Sequence, residues 1–176
     1  MNTSLSAALL FYALTSAASA ATYGHGHVEI QGSIIDTACA IATGDADQSI
    51  EIGTIPVSEL ANNGRSPSVP FTIQLVNCVL NGSHDSGHEH WKDVRIVFDG
   101  ESDGPGLFAL HGAAQGEALI IADEAGTRAE PGVAINAESI MPGTMELHYR
   151  MWLTGDHSAL QPGDIHTTVR YFMEYD

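Results

Sequence analysis

Basic residues are scarce in this chain: 6 Lys and Arg stand against 22 Asp and Glu among 176 residues, a formal net charge of −16. A nucleic-acid partner would need a basic stripe to neutralise phosphates, so that class of function is excluded. An anionic membrane surface is disfavoured by the same sign. The acidic balance fits a basic partner or a well-solvated surface.

Long apolar runs are also missing. The longest, "SLSAALLFYAL", falls short of the ~20 residues of a membrane span and is followed by "TSAASA". Small residues at Ala18, Ser19 and Ala20 resemble an export cleavage site, although no Lys or Arg precedes the run. Residues 1–20 are therefore expected to be a signal peptide, with a mature chain from Ala21. Cysteine is limited to Cys39 and Cys78. An even pair in an exported chain predicts one disulfide, and two cysteines alone cannot build a zinc site.

Catalytic signatures are absent as well. There is no G-x-S-x-G nucleophile turn and no glycine loop leading into a helix to cradle phosphate. Carboxylates cluster in "GDAD" and "ADEAG", where acidic residues form turns. No enzyme and no cofactor is expected. Nine histidines raise the question of metal, above all "SHDSGHEHW" with His84, Asp85, His88, Glu89 and His90. Imidazole and carboxylate suit zinc, copper or nickel. A Gly/Ser-rich turn does not prearrange ligands, so the expectation is a solvated loop without metal. His25 and His27 are read the same way, and "NGS" at Asn81 matches a glycosylation acceptor, although a hairpin turn explains it as well.

What the chain does contain is β structure. "HVEIQGSII", "QSIEIG", "VPFTIQLVNC", "VRIVFDG", "GLFALHG", "EALIIAD", "MELHYRMWL" and "HTTVRYFMEY" are alternating or apolar runs. Gly-, Pro-, Asn- and Asp-rich turns such as "NNGRSPS" and "ESDGPG" separate them. Strands at this spacing point to one sandwich or barrel. Phe71, Ile73 and Leu75, then Val94, Ile96 and Phe98, then Leu147, Tyr149, Met151 and Leu153 are predicted core faces. A short helical turn is expected near "PVSEL", starting at Pro56 or Ser58. The last run, Ile165 to Tyr175, reads as one strand with Val169, Tyr171, Met173 and Tyr175 on one face.

The order of these features resembles a chaperone–usher pilin. Gly32 is followed at seven residues by Cys39, the second cysteine closes "LVNC", and Tyr175 is next to last. The resemblance covers about Val28 to Asp176. It implies an all-β fold, an incomplete immunoglobulin-like sandwich lacking its last strand, with an N-terminal donor-strand extension. The implied organisation is a signal peptide at 1–20, a donor extension at 21–31 and a pilin domain at 32–176. Gly26, Val28 and Ile30 would be the donor residues. Val169, Tyr171, Met173 and Tyr175 would face the acceptor groove, and the Asp176 carboxylate would anchor a chaperone's basic residues. Implied partners are a periplasmic pilus chaperone, an outer-membrane usher and neighbouring fimbrial subunits. The implied location is the periplasm, then the fimbrium at the cell surface. "QSIEIGTIPVSEL", "FDGESDG" and "LIIADEAGTRAEPG" resemble the minor subunit that terminates assembly more than a rod subunit. The alternative is a stand-alone periplasmic metal- or ligand-binding β-sandwich using the His-rich loop.

Overall fold

The computed structural model describes residues 27–30, 32, 37–81 and 90–176. Contacts divide the chain into two units, Met1–Ile34 and Ile35–Asp176, and the second carries the fold. The expected signal peptide, Gly26 and the loop from Gly82 to Glu89 lie outside the described residues.

The second unit is a two-sheet sandwich. Its larger sheet is built around β10 (Gly143–Gly155), which pairs antiparallel with β2 (Val69–Cys78) on one side and β7 (Glu117–Asp123) on the other. β1 (Ala40–Ile41) extends the sheet beyond β2. β5 (Leu107–Phe108) and β4 (Ser102–Gly104) extend it beyond β7. The smaller sheet centres on β3 (Asp93–Asp99), flanked by β12 (Arg170–Tyr175), β8 (Val133–Ala134) and β9 (Glu138–Ser139). β6 (His111–Gly112) and β11 (Ile165–His166) form a separate two-stranded ladder.

Alternation drives this arrangement, because successive side chains of a strand point to opposite faces. Met145, Leu147, Tyr149, Met151 and Leu153 of β10 are buried, while Glu146, His148 and Arg150 between them are exposed. They meet Ile73 and Leu75 from β2 and Val94, Ile96 and Phe98 from β3 in one core. Phe98 sits edge-on to Tyr149 at 5.0 Å, with Phe71 5.6 Å from Tyr149. β7 is apolar on both faces: Leu119 and Ile121 join the core, whereas Ile120 and Ala122 pack with Trp152 outside it. The helical turn is α1 (Val57–Asn63), with Pro56 at its start, Leu60 buried, and Gly64 closing it at φ 72° through an N–H bond to the Leu60 carbonyl. The two cysteines are bonded, Cys39 to Cys78, pinning the start of β1 to the end of β2.

Two expectations change. "QSIEIG" is not a strand: residues 48–53 have no ladder partner among the described residues, because they line the sandwich's open side, where no described strand lies alongside them. The last run is not one strand either. Ile165 and His166 pair with β6, and the chain joins β3 only from Arg170 onward. The Thr167 hydroxyl, donating to the Ala109 carbonyl at 2.9 Å, holds the crossing segment.

Candidate functional site: an open groove between the sheets

The inward residues of β12 differ from those of its neighbour. Val94, Ile96 and Phe98 of β3 are 1–2% exposed, whereas Tyr171, Met173 and Tyr175 on β12 are only half-buried. The cause is topological. β3 has strands on both sides, while β12 lies at the end of its sheet with β3 as its one strand partner among the described residues. Its other edge leaves main-chain groups without a ladder.

Beside that edge runs a groove of about 980 Å³. One wall is residues 46–53, with Ile50 and Ile52 turned inward; the other is residues 165–171, with Ile165, Val169 and Tyr171. Core side chains make the floor: Phe71, Ile73, Phe98, Leu119, Ile121 and Met151. A second cavity of about 390 Å³ shares Gly53 and Ile165 with the groove and continues it toward Leu60 of α1. The floor and the inward wall residues Ile50, Ile52, Ile165 and Val169 are apolar, and among the described residues no strand covers them.

The groove is open at one end and laced at the other. The Tyr171 hydroxyl donates to the Asp45 carbonyl. The Tyr175 hydroxyl donates to the Cys39 carbonyl at 3.2 Å. Burial raises the pKa of both tyrosines; the nearby Asp45 carboxylate adds to the rise at Tyr171, and the bond to Cys39 opposes it at Tyr175. Both phenols therefore stay protonated donors at neutral pH. The Tyr175 ring also meets Trp91 edge-on at 5.9 Å.

The expected site residues thus fall into groups. Val169 and Tyr171 line the groove, whereas Met173 and Tyr175 share that face of β12 beyond its open part. Asp176 is exposed, its carbonyl accepting from the Lys92 and Asp93 amides and its side chain 2.6 Å from Arg95. Val28 and Ile30 are 82% and 90% exposed. His90 is exposed, and the other four members of the His-rich cluster lie outside the described residues. Sequence reading missed Ile50 and Ile52 as the facing wall. Their alternation in "SIEI" was the available signal, but it was read as a paired strand.

The chain is thus an all-β sandwich with an apolar-floored groove along one edge. Residues 28–148 match the family model described as "Fimbrial protein". The chain is 32% identical to the Fimbria A protein of Serratia marcescens, over 99% of this chain and 98% of that one. It is 29% identical to the PRS fimbrial minor pilin protein of Escherichia coli, over 86% of this chain and 77% of that one. In fold it is similar to a subunit in a solved chaperone–usher pilus, at a TM-score of 0.75 and 23% identity, covering 90% of this chain and 100% of that one. The chain belongs to the fimbrial protein family: it is a non-enzymatic pilus subunit with an immunoglobulin-like fold.

Proposed function

We propose that this subunit enters a fimbria by strand exchange, receiving an extended segment in its groove and donating one of its own. The observation that carries the reading is the groove itself, apolar along its floor and bordered by the unpaired edge of β12. An extended segment laid there would gain main-chain bonds from the edge and seat alternate side chains in the gap. The occupant must be a strand with small or aliphatic residues at every second position. Gly26, Val28 and Ile30 of this chain are such a series, and the exposure of Val28 and Ile30 supports donation to a neighbouring subunit.

On this reading residues 21–31 are the donor, 32–176 the acceptor domain, and 1–20 the export signal. A periplasmic chaperone would occupy the groove before assembly, and an outer-membrane usher would replace it with the next subunit. A basic chaperone residue reaching for Asp176 would compete with Arg95. Similarity does not choose the place in the fibre, since identity is 32% to Fimbria A and 29% to the minor pilin. The place we propose is that of a minor subunit. Termination at the fibre base is the second reading, favoured by the tyrosine closure of half the acceptor edge.

Val169→Asp tests acceptance. A charge in the groove without a partner costs several kcal/mol, so co-purification with the fimbrial chaperone should fall steeply. Phe172→Asp, on the outward face of β12 at a residue 47% exposed, should leave it unchanged. Equal recovery of both variants would remove the groove from the assembly.

A further inference from the structure

Two hydroxyl groups bridge the sandwich at one end of the groove. Both leave the inward face of β12, four residues apart, so they span roughly 13 Å along the strand. Both acceptors are main-chain carbonyls of the segment running into and beyond β1, and each is fixed to β2. Cys39 is held by its disulfide to Cys78. Asp45 is held through its carboxylate, which accepts the Gln74 amide at 2.6 Å, and by a turn bond from its amide to the Ala42 carbonyl at 2.9 Å. The bonds therefore tie the free-edged strand of the small sheet to the large sheet. Open volume extends from Tyr171 toward Ile165 and stops at Tyr171.

We propose that Tyr171 and Tyr175 form a two-point latch that holds the far half of the groove shut in the free subunit and opens only as an incoming strand advances. The inference rests on the groove being a strand acceptor, and adds where entry begins and what limits it. The strand docks first between Ile50 and Val169, where nothing must move. To pair along the rest of β12 it must seat its inward side chains in the gap that the two hydroxyl bonds span, which breaks both. The main-chain carbonyls and the rigid β2 framework stay in place, so the tyrosine side chains are the moving parts. Trp91, against Tyr175, is a built-in reporter of that movement.

The experiment uses the full chain and a dye-labelled synthetic peptide of residues 21–31, with anisotropy following uptake and tryptophan fluorescence following the latch. Wild type is compared with Tyr171→Phe, Tyr175→Phe and the double variant, which keep the rings and remove only the hydroxyls. Circular dichroism verifies that each is folded. Two ordinary net hydrogen bonds correspond to about tenfold or more in rate, so the double variant should take up peptide at least about tenfold faster than wild type, with each single variant between. Uptake at one common rate in all four proteins would overturn the latch and leave strand acceptance standing. No uptake by any of them would overturn acceptance of such a strand, and the latch with it.

Discussion

Asp123 shows how a single residue can combine two unfavourable properties and still stabilise the fold. It is a carboxylate 8% exposed, yet its oxygens accept from the Thr127 amide at 2.7 Å and the Asn136 side-chain amide at 3.0 Å. Charge-assisted bonds of this kind are worth about 1.5–3 kcal/mol, so Asp123→Ala should lower unfolding free energy by about 2 kcal/mol in denaturant titration. Glu117 is the contrary case. Burial and the nearby Asp156 raise its pKa, and a hydrogen bond to its own amide opposes the rise only in part. A raised pKa means a stabilising contribution present below the ordinary carboxylate value, about 4.3, and lost as pH rises through the folded value. Glu117→Gln should therefore raise the thermal midpoint at pH 7, on the scale of ~0.5 kcal/mol for a partly exposed charge, and make no difference at pH 3. At this scale the sequence was informative wherever one property decided the outcome. "ADEAG" was legible as a turn from its composition. That Asp123 is buried, with partners four and thirteen residues on, depends on where the turn meets β10, which no local pattern records.

Elements were legible to the extent that their apolar faces were. The core faces of β2, β3 and β10 follow from alternation alone, and α1 from "PVSEL", with Pro56 at its start as one of the two expected positions. Gly64 gives a direct check. At φ 72° an L side chain is strained, and a Cβ there would meet no atom within 4 Å, so the cost is purely conformational. Gly64→Ala should destabilise by about 1 kcal/mol. Pairing was less legible than facing. "QSIEIG" and the run from Ile165 to Tyr175 have strand composition, yet the first pairs with nothing in a ladder and the second divides between two sheets. Composition reports fitness for a pleated surface, not the availability of a neighbouring edge. The resemblance named Val169 and Tyr171 on one wall of the groove, but the facing wall of Ile50 and Ile52 escaped for this reason: it lies where, among the described residues, no partner strand is present.

For the whole molecule, the disulfide and the open edge act together. Cys39–Cys78 closes a span of 39 residues and fixes the start of the segment that carries the tyrosine acceptors. Replacing both cysteines with alanine should cost about 3 kcal/mol, measured by urea titration, and should also release the Tyr175 bond to Cys39. The sandwich without its last strand was implied by the resemblance that the two ends and the cysteine spacing carry, and the family match and the two-sheet topology support its immunoglobulin-like fold. The central claim is that an extended segment from a neighbouring subunit completes β12. Amide hydrogen exchange over residues 93–99 and 170–175, in the isolated full-length chain and in assembled fimbriae, tests it most directly. The account predicts fast exchange at the outward amides of β12 in the isolated chain and strong protection in the fibre, with β3 protected in both. Equal protection of β12 in the two states would contradict it, because the edge would then receive no strand on assembly.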